Sequence, residues 1–116
     1  NDCSISMLVK TPAWSALTLG DLEPDAQAVL AKSGTVEAVE LVKVAHHGSR
    51  RQEPALYDAA HASIAVSGVG ANTFGHPHQR TLSLLAERGM AVRRTDVDGM
   101  VVMKRAGDGW LVRTLR

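Results

Sequence analysis

A chain of 116 residues is long enough for one domain or a large piece of one, and its 45% hydrophobic and 22% charged residues are the ordinary balance of a soluble globular protein. No apolar run approaches the roughly 18 residues of a membrane span, no signal-peptide pattern is present, and Cys3, the single cysteine, excludes an internal disulfide. The net charge of +1 argues neither for nor against nucleic acid.

In chain order, Ile5, Met7 and Val9 alternate with Ser4, Ser6 and Leu8, the period-two pattern of a half-buried strand. Thr11-Pro12 supplies a turn into a second strand over Trp14 to Leu19, making a hairpin that Gly20-Asp21 ends. Pro24 suits a first helical position and Asp25 the positive end of the helix dipole; Ala26, Val29 and Leu30 share a face, and Gly34 stops the helix. Leu41 to Ala45 reads as a short strand leading into His46-His47-Gly48-Ser49. Pro54 begins a shorter helix over Ala55 to Ala60, Ser63 to Ser67 is another strand, and a glycine-rich loop follows through Gly68, Gly70 and Gly75. A third helix opens at Pro77, with Leu82, Leu85 and Ala86 on one face and Gly89 at its end. The tail reads as strands over Ala91 to Thr95, Met100 to Lys104 and Trp110 to Leu115, with hairpin turns at Asp98-Gly99 and Gly107-Asp108-Gly109.

Alternating strands and helices predict one α/β unit with helices packed on a sheet. The chain opens directly on a strand with no earlier element to cover the sheet, the expected signature of a partial domain. Cys3 is expected to be a small buried hydrophobe. The pairs Arg50-Arg51 and Arg93-Arg94 read as solvated surface.

Three points of interest fall at strand exits, where α/β folds carry reactive groups: Asp21, the His46-His47 pair and the loop to His76. Carboxylate and imidazole suit divalent metals of the zinc or manganese sort. Taken singly, Asp21 is a turn or capping residue, the histidine pair is equally a structural pair, and His76 sits at a helix N-terminus as a cap or anion neighbour. His61 reads as surface, His78 as structural, and Asp96 and Asp98 as turn residues. A catalytic zinc needs about three protein ligands and a two-metal site roughly six. Asp21 with one or two histidines falls short, so a working site needs residues from outside this chain.

The ordered set Asn1-Asp2-Cys3-Ser4, Gly20-Asp21-Leu22-Glu23, Val42-Lys43-Val44-Ala45-His46-His47-Gly48-Ser49, Gly75-His76-Pro77 and Arg94-Thr95-Asp96 with Gly99 resembles the C-terminal metallo-β-lactamase-like domain of ComEC-type competence proteins. These are the DNA-uptake channels of bacterial transformation, and the resemblance spans essentially the whole chain, residues 1–116. It implies the second, C-terminal αβ half of a four-layer αβ/βα sandwich, with a mixed sheet and packed helices. The superfamily's His-x-His-x-Asp-His motif, which supplies most ligands from the first half, has no match here. The resemblance maps the bridging Asp ligand onto Asp21 and the final His ligand onto His46 or His47, without deciding between the two. It makes His76 a rim residue meeting substrate phosphate, and Ser49, Arg50 and Arg51 lie close enough in sequence for phosphate contacts. Glu40 stands where the family more often has Asp, upstream of the site.

The implied function is a metal-dependent hydrolase of nuclease type, using zinc or manganese on single-stranded DNA. It would belong to a soluble domain of a bacterial inner-membrane protein, on the extracytoplasmic face and anchored through other parts of the parent. The isolated piece is expected to be inactive, to bind metal weakly and to self-associate. A phosphodiesterase or phosphorylcholine-esterase-like hydrolase, and a non-catalytic DNA-binding module, are the competing expectations. A His-x-His-x-Asp-His string upstream of Asn1 would favour catalysis.

Overall fold

The computed structural model describes residues 3–116; Asn1 and Asp2, which open the matched string, lie outside the described residues. The elements run β1 (Met7–Lys10), β2 (Ser15–Thr18), α1 (Pro24–Lys32), β3 (Leu41–Lys43), α2 (Pro54–Ala60), β4 (Ile64–Ser67), α3 (Gln79–Glu87), β5 (Ala91–Arg94), α4 (Thr95–Asp98), β6 (Met100–Ala106) and β7 (Gly109–Leu115). The first five strands form one mixed sheet in sequence order, antiparallel between β1 and β2 and parallel from β2 to β5. The expected α/β fold, a mixed sheet with packed helices, is therefore what the chain forms.

Each parallel step moves to the adjacent strand in the same direction, and right-handed crossovers of that kind put α1, α2 and α3 on one face. Register aligns Leu17, Val42, Ala65 and Val92 across the four parallel strands. They share one apolar core with Leu56, Tyr57 and Ala60 of α2 and Leu85 of α3. Leu56, Val42 and Leu85 are fully buried, each worth about 1.5–3 kcal/mol of transfer free energy.

Two helices turn a different face inward than their apolar spacing predicts. Val29 of α1 is 70% exposed, and Gln27 is fully buried in its place. Burial of that amide is tolerated because it is bonded at both ends: Nε2 donates to the Leu22 carbonyl at 2.8 Å and Oε1 accepts from the Glu53 N–H at 2.9 Å. In α3, Ala86 is exposed while Thr81 and Leu85 are buried. The helix starts two residues later than Pro77 predicts, with His78 as its cap accepting from the Arg80 N–H at 3.1 Å.

The chain's two ends also depart from expectation. Met7 and Leu8 of the edge strand β1 are exposed, as are Ile5 just before it and Cys3. At the other end, Asp98-Gly99 does not make a hairpin of β5 and β6. The Asp98 carboxylate accepts from the Arg94 N–H at 2.9 Å, Thr95–Asp98 coils into a helical turn, and Gly99 at φ 73° leads the chain away from β5. Strands β6 and β7 then pair only with each other, about the expected Gly107-Asp108 turn. This hairpin is tied to the entry end of the main sheet by Trp14 against Trp110, with ring centroids 6.4 Å apart, and by an Arg105–Glu40 ion pair.

Candidate functional site

The exits of β2, β3 and β4 converge on one rim. After β2, Gly20 takes φ 56° where a Cβ would press on Ile5 O at 3.1 Å and Ser4 Cβ at 3.2 Å, so glycine lets the two segments close up. The Asp21 N–H then donates to Ser4 Oγ at 3.0 Å, which sets the start of the carboxylate-bearing turn. After β3, the His46 N–H donates to the Gly20 carbonyl at 2.8 Å, and this bond brings the histidine pair beside Asp21.

Residues 46 to 48 all lie at positive φ: His46 at 47°, His47 at 54° and Gly48 at 81°. Such a run costs strain for the two histidines, of order 1–3 kcal/mol each, and persists only where surrounding bonds over-determine it. They do so here. Ser67 Oγ donates to the His47 carbonyl at 3.1 Å, the His78 N–H donates to the Gly48 carbonyl at 2.8 Å, and Tyr57 accepts from the Ala45 N–H at 3.3 Å. Burial of the Tyr57 hydroxyl pushes its pKa far upward, so it stays a neutral hydrogen-bonding strut.

The left-handed turn aims the two imidazoles differently. His47 Nδ1 is 2.7 Å from the Gly68 carbonyl, which can only accept, so Nδ1 carries a proton and in the neutral ring it is Nε2 that keeps the lone pair. That Nε2 faces Asp21 Oδ1 at 3.5 Å. Two acceptors pointed at each other repel unless a proton or a cation lies between them. His46 turns instead to Glu23, with Nδ1 2.9 Å from Oε1. That contact is close enough for an ion pair but not aligned as a hydrogen bond, and Nδ1 is buried without a hydrogen-bond partner. Glu23 was not singled out in the sequence; an acidic pair two residues apart at a strand exit was the available signal.

His76 joins the group by a different route. Asn72 staples its loop, accepting from the Phe74 and His76 N–H groups at 3.0 Å each and donating to the His76 carbonyl at 2.8 Å. The His76 ring stands edge-on to His46 with centroids 5.6 Å apart and shares a cleft of about 190 Å³ with His47. Partial burial, then the neighbouring His46, His47 and His78, lower its pKa. His76 is a rim residue and not a helix cap; His78 takes the cap. Asn72 carries no motif and is visible only in three dimensions.

The phosphate candidates separate. The Ser49 hydroxyl is buried and donates to the Arg51 carbonyl at 3.3 Å, so it braces the loop and does not face the rim. Arg50 and Arg51 are exposed but line another hollow, of about 980 Å³, between the segment after Gly48 and α3. Among the described residues, no group of three or more His, Cys, Asp or Glu side chains is arranged to hold a metal ion.

The chain is 31% identical over 104 residues to ComE operon protein 3 of Bacillus subtilis (strain 168). That alignment covers 87% of this chain and 13% of the relative, so the chain spans a small part of the protein it matches. No family model matches the chain, and no solved structure matches it.

Proposed function

We propose that this chain is the C-terminal half of a metallo-β-lactamase-type hydrolase domain, contributing Asp21 and His47 to a metal centre that cleaves DNA phosphodiesters during DNA uptake in competence. The carrying observation is the approach of Asp21 Oδ1 to His47 Nε2 at 3.5 Å, with the imidazole tautomer locked by Gly68. The likeness to a ComE operon protein supports the competence setting.

Zinc or manganese fits the pair as far as it goes. Two ligands on one tetrahedral ion with arms near 2.1 Å stand roughly 3.4 Å apart, close to the observed separation. A ligand histidine whose second nitrogen donates to a backbone carbonyl is the usual supporting arrangement. Two donors are fewer than the roughly three of a catalytic zinc, so the remaining ligands belong to polypeptide outside this chain. The bound metal would supply a water of near-neutral pKa and neutralise charge on the attacked phosphate.

The chain's own residues do the rest. The Asp21 backbone is anchored by Ser4, and His47 is held by Gly68 and Ser67, so the two side chains start from fixed points on the rim. Glu23 draws His46 aside, leaving it to shape the rim beside His76. The lowered pKa of His76 favours its neutral form, which can donate one ring N–H to a phosphate oxygen and adds no positive charge beside the proposed cation. No helix among the described residues is long and apolar enough to cross a membrane. Attachment to the inner membrane, with this domain on the extracytoplasmic face, would come through other parts of the parent.

The test compares the complete domain with its Asp21→Asn and His47→Gln forms, reading both metal content and cleavage of single-stranded DNA in manganese or zinc. Each substitution is expected to lower bound metal and to cut cleavage by at least 100-fold. Unchanged cleavage in either form removes that residue from the mechanism. A DNA-binding module without catalysis is the second reading, favoured by the two-donor count; DNA binding by the unaltered complete domain with neither bound metal nor cleavage would select it.

A further inference from the structure

The hollow between the post-Gly48 segment and α3 takes no part in the metal rim, yet it gathers cationic side chains. Arg50, Arg51, Arg80 and Arg88 line it, against Glu87 as the single carboxylate among the lining residues. Arg88 is neutralised by Asp58 at 2.7 Å, whereas Arg50, Arg51 and Arg80 make no ion pair among the described residues. With a net charge of only +1, this local excess does not follow from overall composition.

The two walls are held in fixed relation. Thr81 Oγ1 of α3 donates to the Ser49 carbonyl at 2.5 Å, and Gln52 Nε2 donates to the Ser49 and Ala45 carbonyls at 3.1 and 3.0 Å. The arginine stems therefore start from a rigid frame, while their heads are exposed. Spread guanidiniums on an open hollow match an extended polyanion better than a small enclosed ligand. Guanidinium forks pair bidentately with phosphate oxygens. No aromatic residue lines the hollow, so neither base stacking nor the aromatic anchors of a protein interface are present.

We infer that Arg50, Arg51 and Arg80 form a track for the phosphodiester backbone of a nucleic acid strand, holding it without reading its sequence. This rests on the proposed nucleic-acid substrate but not on cleavage, and it assigns Arg80 a role that no motif indicated.

The experiment measures binding of a fluorescein-labelled oligo-dT 20-mer to the full chain by anisotropy, in EDTA, across a range of salt. The Arg50→Ala/Arg51→Ala/Arg80→Ala variant is expected to bind at least tenfold more weakly. Its log K against log salt slope should flatten by about two, since each phosphate contact contributes about 0.7 on single strands. Arg113→Ala, on the exposed face of the hairpin, should change affinity less than twofold. The inference is overturned by no binding in the unaltered chain, by a triple variant within twofold of it, by an equal loss in Arg113→Ala, or by poly-glutamate competing as well as DNA. Asp21→Asn in the complete domain, with binding read in EDTA and cleavage in manganese or zinc, separates the two ideas: binding retained while cleavage is lost supports both, and binding retained while cleavage persists sinks only the metal site.

Discussion

The main sheet and the C-terminal hairpin are written in the same alternating code and end with opposite surfaces. In the sheet, Leu17, Val42 and Ala65 vanish beneath helices. In the hairpin, Val101, Met103, Trp110 and Val112 are half-buried, while Met100 and Leu111 on the other face remain 62% and 63% exposed, with Val102 and Leu115 beside them. A parallel connection must cross over, and the helix that makes the crossing becomes the cover. A hairpin turn brings no such element, so its outward apolar residues wait for cover from elsewhere.

The sharpest way to break that contrast is a pair of truncations. Leu56→Ala, beneath the sheet, should cost about 4 kcal/mol, whereas Leu111→Ala on the hairpin should cost under about 0.5 kcal/mol in denaturant titrations. Similar costs would mean the hairpin face is covered in solution. Next comes Gly48→Ala at the rim, where φ is 81° and a Cβ would stand 2.6 Å from Pro77 Cβ. Strain and overlap together should cost about 3 kcal/mol, checked by the same titration.

A smaller effect belongs to the joint between the two sheets. The Arg94 guanidinium beside Asp96 holds that carboxyl below its ordinary value near 3.8. A depressed carboxylate pKa stabilises the fold above the ordinary value, and the gain is lost as pH falls through the lowered one. Asp96→Asn should therefore destabilise by under about 1 kcal/mol at pH 6, with the difference from the unaltered chain vanishing in strong acid. Smallest for stability is Val102→Lys with Leu111→Lys, which should leave the melting temperature nearly unchanged. If the exposed face drives self-association, the same double variant shifts light scattering toward monomer; unaltered scattering would place any contact elsewhere.

Much of the fold was legible in the residues. Pro24 and Pro54 marked helix starts because their fixed φ and missing N–H suit a first turn, and both helices begin there. The strand cores around Val42 and Ala65 followed from short apolar runs between turn residues. Gln27 defeated the apolar stripe, because whether an amide can be buried depends on partners such as Leu22 and Glu53, supplied from elsewhere in the chain.

The site divides in the same way. Composition and position along the chain were enough to nominate Asp21, His46, His47 and His76, since carboxylates and imidazoles at strand exits are chemically conspicuous. Only the tertiary structure decided that His47, not His46, faces Asp21, and that Arg50 opens onto a different hollow from His76. The physical reason is the left-handed turn at His46 and His47: backbone dihedrals set where a side chain points, and these are dictated by bonds to Gly20, Ser67 and His78, far away along the chain.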